Sequence, residues 1–407
     1  MDRRGFLIAG AAALATPALA ADEDQGFAVW VAGAEAAART QGVSPAVIAS
    51  ARNGLARDAS LAAKRSSPEA NDRVSLYVGN LMKGSGLAIA KRKAYATPLD
   101  GVAAAHGVPA SIQTAFWGRE SGYGSGIGTK DVFSTCATLG AAGNKAAEWR
   151  AEYIAALRIV QTGVRSRAQF IGSSGGAIGQ TQLLPSNFFL YGEDFDRDGR
   201  IDIWTSPADA LASAARHVQD SRVPGPTPAT GTPWTRGGSW LEPVILPARP
   251  DFSGVEVDAS ELSVRAWTDW GLRRASGGNW SAVDQRQTAI LALPAGVGGP
   301  AFLMFPNFAT IERYNRSRSY ALAVALLARK IDGAADVAWP AEIALGPAQR
   351  EGAQQALTTA GVYSGAIDGN FGGKSRAALR AWQRSKGVTP DGYLSLEMVR
   401  LLGVGGD

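Results

Sequence analysis

The chain has 407 residues, 46% of them hydrophobic and 19% charged, with 41 basic against 36 acidic side chains for a net charge of +5. Such a composition forms a buried core and leaves length for two or three domains, which excludes a disordered chain. A single cysteine, Cys136, and two histidines, His106 and His217, exclude an intrachain disulfide and a cysteine or multi-histidine metal cluster. The basic residues are interspersed rather than clustered, so there is no nucleic-acid footprint.

The N-terminal MDRRGFLIAGAAALATPALA sets Arg3 and Arg4 before an apolar run from Phe6 to Leu14 and a small-x-small site, Ala18-Leu19-Ala20. This is the pattern of a signal peptide over residues 1–20, so the chain is expected to be exported, cleaved near Ala20 and soluble in a bacterial periplasm. The run is too short to span a bilayer. The paired arginines followed by Gly5-Phe6-Leu7 resemble a twin-arginine signal.

Helical periodicity dominates from Gly26 to about Val223; in EWRAEYIAALRIVQTG, for example, Tyr153, Ile154, Leu157 and Val160 share one face. The Pro/Gly/Trp-rich stretch from 222 to 247 reads as mostly loop, and SGVEVDASELSVRAWTDWGLRR as short strands or turns before a helix. ATIERYNRSRSYALAVALLARKI reads as one long helix. Residues 336–346 have linker composition, and 347–407 form a unit of three helices, about the size of a binding module. The predicted fold class is mainly α, with small irregular or β insertions. A truncation at residue 340 is expected to leave the main body's unfolding unchanged.

Three stretches carry chemistry. In TAFWGRESGYGSGIG, Glu120 falls on the last turn of a helix bounded by Pro109 and Gly122. A carboxyl in partly apolar, aromatic surroundings is disfavoured in its charged form and suits a general acid, whereas a capping or salt-bridged glutamate, paired to Arg119, is the structural alternative. In IGSSGGAIGQTQLLPSNF, Ser173, Gln180 and Gln182 alternate with small residues, a lining suited to hydroxyl and amide groups; an ordinary glycine turn is the alternative. In DFDRDGRID, Asp194, Asp196, Asp198, Gly199, Arg200 and Asp202 occupy calcium-loop positions 1, 3, 5, 6, 7 and 9. Thr205 stands where the closing glutamate belongs, and Asp209 could supply that carboxylate instead. A structural calcium ion is therefore expected, against a loop that keeps its fold without metal.

AFWGRESGYG and GSSGGAIGQTQLLPSNF, with EDFDRDGRIDIWTSPADALASAARHV and YNRSRSYALAVALLA, resemble the B-type lytic murein transglycosylases over roughly residues 26–332. The resemblance implies a lysozyme-like catalytic domain over 21–335 that cleaves the MurNAc–GlcNAc bond of peptidoglycan, with Glu120 as its sole catalytic carboxylate. It implies substrate contacts from Ser173, Gln182, Tyr314, Asn315 and Tyr320, and from Arg150 and Tyr77. It implies no catalytic cofactor; His217 stands where the family often has a tyrosine. Glycosidases ordinarily need two carboxylates. In this family the substrate's N-acetyl oxygen and C6 hydroxyl do the second one's work, giving a 1,6-anhydro product.

The last unit is similar to small peptidoglycan-binding domains through Asp368-Gly369, Phe371-Gly372, Trp382-Gln383 and Asp391-Gly392, with Trp382 read as core. The expected partner is the glycan strand of the sacculus, with other cell-wall enzymes as further contacts and no nucleic acid, for a chain acting as a monomer. A hydrolytic muramidase and a non-enzymatic wall-binding protein are the rival readings.

Overall fold

The computed structural model describes residues 17–62, 73–143, 145–220 and 233–405, so the twin arginines and most of the signal segment lie outside the described residues. The principal helices, in chain order, are α1 (Pro17–Thr40), α2 (Val74–Met82), α3 (Ala110–Ser121), α4 (Val132–Ala141), α5 (Ala146–Thr162) and α6 (Pro207–Gln219). They continue with α7 (Pro306–Asn315), α8 (Arg318–Ile331), α9 (Pro347–Thr359), α10 (Gly373–Ser385) and α11 (Leu396–Leu401). The expected cleavage point lies in the first turn of α1.

Two compact units share these elements: one holds residues 1–64, 128–178 and 184–189, the other 65–127, 179–183 and 190–407. In the first, the aromatic rings of Trp30, Phe133, Tyr153 and Phe170 form its centre through edge-on and tilted contacts 5.3 to 5.8 Å apart. Gly140 of α4 is obligatory there, because a Cβ would sit 2.3 Å from the Trp30 ring. A short antiparallel pair, β1 (Lys130–Asp131) with β2 (Ile171–Gly172), closes the unit's glycine-rich loops.

The second unit is built around α3 and α8. Every residue of α3 from Ala110 to Trp117 is buried, and so is every residue of α8 from Ser319 to Ala328. Alternating alanines in α8 let neighbouring helices approach closely while Leu322, Val324 and Leu326 fill the gaps. Ser317 caps the helix by accepting the Tyr320 N–H at 3.2 Å, which fixes where α8 starts and how its first turn faces.

Against this helical core lies a five-stranded antiparallel sheet: β3 (Leu241–Ile245), β4 (Glu261–Ser263), β5 (Arg273–Arg274), β6 (Thr288–Ala292) and β7 (Ala301–Met304), in the order β4-β6-β7-β3-β5. Alternation along the strands decides the faces. Ile290, Ala292, Phe302 and Met304 turn to the helical core, while Leu291, Leu293 and Leu303 meet Trp267 and Phe305 in a second one. The strand β3 departs from the loop expected over 222–247. Pro243 argues against a strand because it lacks a donor, yet its carbonyl accepts from the Ala275 N–H at 2.9 Å and the pairing with β7 persists.

Helices α9, α10 and α11 close around Leu357, Leu379 and Val399, with Trp382 packed on that core. Two buried glutamines hold the turns. Gln354 Oε1 accepts from the N–H groups of Asp368 and Gly369 at 3.0 and 2.9 Å, and Gln383 Oε1 accepts from Gly392 at 2.8 Å. Residues 334–346 carry no regular structure, but they are held: Trp339 packs on Phe302, and Glu342 accepts from Ser75 and, at 2.7 Å, from the Tyr393 hydroxyl.

The helical unit is also docked by charge. Asp258 receives Arg318 of α8 at 3.2 Å, Arg380 of α10 at 3.2 Å and Arg376 of α10 at 3.5 Å. Burial opposes ionisation of Asp258, but the three guanidiniums outweigh it and hold its pKa below the usual carboxylate range. Val297 N–H donates to Asp391 at 3.2 Å, and Arg376 to the Leu293 carbonyl at 3.0 Å. The tail is thus an integral part of this unit rather than a separate bead, contrary to what linker composition alone suggests.

Deleting residues 340–407 removes two of the three cations facing Asp258 and bares the surface they cover. Loss of a partner from a buried ion pair is strongly destabilising. The melting temperature of the truncated chain is expected to fall by several degrees in differential scanning calorimetry; an unchanged transition would show the tail to be independent.

Candidate active site

Glu120 occupies the last turn of α3, half-buried, and Gly122 ends the helix in the left-handed region at φ 56°. The hydroxyl of Tyr320, near the start of α8, donates to Glu120 Oε1. Burial first, and then the charge of Glu120, push the Tyr320 and Tyr314 hydroxyls well above the ordinary tyrosine range. Both therefore stay protonated and serve as donors; the Tyr314 hydroxyl donates to the Thr181 carbonyl at 2.5 Å. Phe116 lies one helical turn before Glu120, its ring 4.6 Å from that of Tyr314 and 6.2 Å from that of Tyr320.

Arg119 is the residue that sequence reasoning treated only as a salt-bridge partner. Its Nε and one terminal nitrogen donate to the Tyr77 hydroxyl at 3.1 and 2.9 Å, and its guanidinium lies 5.6 Å from the Tyr320 ring centroid. Burial works against its charge, but Tyr77, Glu120 and Tyr320 more than offset that and raise its pKa. Tyr77, on α2, thus joins the Glu120 cluster through Arg119. No local sequence signal links positions 77 and 119; the fold alone brings them together.

The Gly179–Leu183 segment braces the end of α3. Gln180 is 4% exposed, accepts from the Trp117 indole N–H at 2.9 Å and donates to the Trp204 carbonyl at 3.2 Å. It is therefore a framework residue, not the site lining expected from its glycine-flanked position. It also explains Gly124, where a Cβ would stand 2.6 Å from Gln180 Oε1; that glycine makes room for the protein itself. Gln182 holds a positive φ of 53° and its side-chain amide donates to the carbonyls of Gly179, at 2.9 Å, and Ile127, at 3.2 Å. A non-glycine residue kept in that conformation marks a position the surroundings over-determine.

Asn315 is exposed at the end of α7, directly after Tyr314. The His217 ring lies 4.9 Å from Tyr314 and 4.6 Å from Tyr191, and burial pushes its pKa down to about 4, so it is neutral packing for Tyr314 at neutral pH. Ser173 and Arg150 belong to the other unit. There Ser173 closes a tight turn, its Oγ accepting from the Ala177 N–H at 3.2 Å, and Arg150 lies on α5 with Nε buried and unpartnered among the described residues.

The acidic loop gathers Asp194, Asp196 and Asp209, each offering a carboxylate oxygen within 4.8 Å of the others. Asp209 is fully buried near the start of α6 and accepts from the N–H groups of Phe195 and Asp202, both at 2.8 Å. It stands where a closing carboxylate is needed. Asp198, expected among the ligands, carries an ion pair to the Arg200 side chain at 3.2 Å, which leaves the Arg200 backbone carbonyl, the group calcium-loop position 7 supplies, unaffected. Three hard carboxylate oxygens match the donor chemistry of calcium.

The mainly helical, lysozyme-like body with small sheets and a helical C-terminal unit is the fold of the lytic transglycosylases. Residues 26–329 match the family described as transglycosylase SLT domain, and residues 347–402 match a peptidoglycan binding domain. The chain belongs to the transglycosylase SLT-domain family. It is similar to SltB3 of Pseudomonas aeruginosa, crystallised in complex with NAG-anhNAM-pentapeptide: 36% identity, a TM-score of 0.82, and coverage of 93% of this chain and 99% of that one. The same protein with NAG-NAM-pentapeptide gives 35% identity and a TM-score of 0.82 over 92% and 99%. The membrane-bound lytic murein transglycosylase B of Escherichia coli K12 is 29% identical over 222 residues, 54% of this chain. The chain thus spans just over half, 56%, of the length of that curated relative.

Proposed function

We propose that this protein is an exported peptidoglycan lytic transglycosylase, acting in the periplasm as a monomer on the glycan strands of the sacculus. The observation that carries the reading is the Tyr320–Glu120 hydrogen bond: one carboxylate, held by a neutral donor in aromatic surroundings at the end of α3. With Oε1 accepting from Tyr320, the acid proton belongs on the other oxygen. Glu120 gives that proton to the glycosidic oxygen as the C1–O bond breaks. The substrate's N-acetyl oxygen stabilises the cationic C1, the C6 hydroxyl attacks it, and Glu120 takes back the hydroxyl proton. Atoms balance without water, and the product is 1,6-anhydro-MurNAc.

Tyr77 acts through Arg119, which keeps positive charge beside Glu120. Gln182, Tyr314 and Asn315 are the residues of the second unit that we assign to substrate contact. Similarity to SltB3, whose complexes carry sugar and pentapeptide, supports a substrate that bears its peptide. The C-terminal unit would hold the wall, and other cell-wall enzymes are natural neighbours. A calcium ion held by Asp194, Asp196 and Asp209 would brace the loop before α6 and take no part in the bond cleavage.

Glu120→Gln keeps the shape of the side chain and removes its acidity. Cleavage of purified sacculi is expected to fall by at least ~10²–10⁴-fold while melting temperature and sacculus pull-down stay unchanged. Near wild-type turbidity loss by that variant would end the assignment.

For the metal, an affinity typical of extracellular modules, roughly 10⁻⁴ M, means that ~10 mM calcium stabilises the folded chain by about 2.7 kcal/mol. The melting temperature is expected to rise with calcium, less with magnesium, and not at all in an Asp194→Ala, Asp196→Ala double variant. Identical melting curves in chelator and in excess calcium would remove the metal from the account.

A further inference from the structure

The run expected as one long helix breaks after Asn315, where Arg316 takes a left-handed φ of 51°, and restarts as α8. Arg318 opens the new helix, and by local rules it is misplaced. A cation in the first turn faces the positive end of the helix dipole, which disfavours it. The first turn of α8 offers no acidic residue in compensation. Compensation comes from two other elements. Arg318 Nε donates to Glu312 Oε1 of α7 at 2.9 Å, and a terminal nitrogen donates to Asp258 Oδ1 at 3.2 Å. Burial works against the charge of Arg318, but these two carboxylates outweigh it and raise its pKa.

Both acceptors are themselves fixed. Glu312 is 2% exposed and lies on α7, two residues before Tyr314. Asp258 stands in the loop before β4 at a positive φ of 63°, with its N–H donating to the Leu291 carbonyl of β6 at 2.8 Å. The Ala259 and Ser260 N–H groups close the same turn by donating to the Glu256 carbonyl at 3.2 and 2.8 Å. An aspartate held in that conformation by a turn and a strand is a position the surroundings over-determine. Arg318 thus joins α7 and α8 to an anchor that neither helix contributes.

The two helices it joins carry the two tyrosines of the catalytic corner. Tyr320, two residues beyond Arg318, donates its hydroxyl to Glu120. Tyr314, two residues beyond Glu312, donates to the Thr181 carbonyl and packs on Phe116. Only Arg316 and Ser317 connect α7 to α8, so the setting of the first turn of α8 depends on what grips it. Ser317 grips the backbone, through the Tyr320 N–H, and Arg318 grips from the side-chain side. We propose that Arg318 is a positioning residue for the cleavage step, clamping α7 and α8 to Asp258 so that Tyr320 meets Glu120. The inference rests on the transglycosylase reading; Arg318 touches no reacting atom and acts through the Tyr320 hydroxyl. Arg376 and Arg380 share Asp258, but they hold the C-terminal unit and leave the cleavage step alone.

The test measures kcat and KM of the full-length protein on soluble glycan oligomers, well below the melting temperature of each variant. Arg318→Gln is expected to lower kcat roughly tenfold with KM little changed, and Arg318→Lys to restore part of the loss. Arg318→Gln alone bares the Glu312 carboxylate, so a Glu312→Gln, Arg318→Gln double variant, which leaves no unpaired charge there, is run beside it. It should lose kcat likewise, and it carries the test if the single variant does not fold. Tyr320→Phe supplies the other axis of a double-mutant cycle: in that background Arg318→Gln should cost little more, since the contact it serves is already gone. Arg380→Gln, which loosens Asp258 from the side of α10, should lower the melting temperature but leave kcat as it was. Wild-type kcat in the Arg318 variants, full additivity with Tyr320→Phe, or an equal loss in Arg380→Gln would overturn the inference. Glu120→Gln separates the two levels. Activity in that variant refutes the catalytic reading itself, whereas its inactivity beside wild-type kcat in the Arg318 variants refutes the positioning role alone.

Discussion

The hydrogen bond from Tyr320 to Glu120 is the contact on which the rest of the second unit converges. Its two ends come from helices about 200 residues apart in the chain, so it exists only if α3 and α8 pack in one register. Alanines along α8 permit that approach, and the Ser317 cap sets the rotation of its first turn. On the other side, the Trp117–Gln180 and Tyr314–Thr181 bonds hold the Gly179–Leu183 segment against the same helix end. Removing one partner of such a buried bond typically costs about 1–3 kcal/mol. For Glu120 the larger consequence is chemical, because the tyrosine fixes which carboxylate oxygen is left to carry the proton.

The same helix start has a second obligation. Arg318 sits two residues before Tyr320 and reaches Asp258, which in turn holds Arg376 and Arg380 of α10. One first turn therefore serves both the catalytic carboxylate and the docking of the C-terminal unit. A long apolar contact could hold the two parts together as firmly, but an ion cluster around a single half-buried aspartate also fixes their orientation. In the transglycosylase reading, the wall-binding unit is then presented at a set angle to the bond being cut.

Much of this was legible in the sequence where local chemistry suffices. Glu120 is placed by Pro109 and Gly122, which mark the ends of its helix, and α9, α10 and α11 follow from periodicity and turn residues. The sheet was legible only in part: β4 and the helix after it fall where short strands before a helix were expected, but β6 and β7 are short and buried, and Pro243 within β3 mimics a loop. Gln180 and Gln182 look alike in sequence, yet one is fully enclosed by Trp117 and Trp204 and the other reaches the loop after α3. The acidic loop fits a known spacing, and Asp209, readable in the sequence as the closing carboxylate, joins Asp194 and Asp196, while the Asp198 side chain pairs with Arg200. Arg119 and Asp258 carry no local signal at all. Their roles arise from partners 42 to 122 positions away, Tyr77 in one case and Arg318, Arg376 and Arg380 in the other.

The central claim is that one carboxylate, assisted by the substrate's own groups, cleaves the glycan without water. The most direct measurement is mass spectrometry of the fragments released from purified sacculi by the full-length protein, with and without borohydride reduction. The account predicts muropeptides lighter by one water than their hydrolysed counterparts and unchanged by borohydride, as 1,6-anhydro ends require. Fragments that carry reducible ends and take up hydrogen on reduction would contradict it, since they would mean that water rather than the substrate's C6 hydroxyl attacks the sugar.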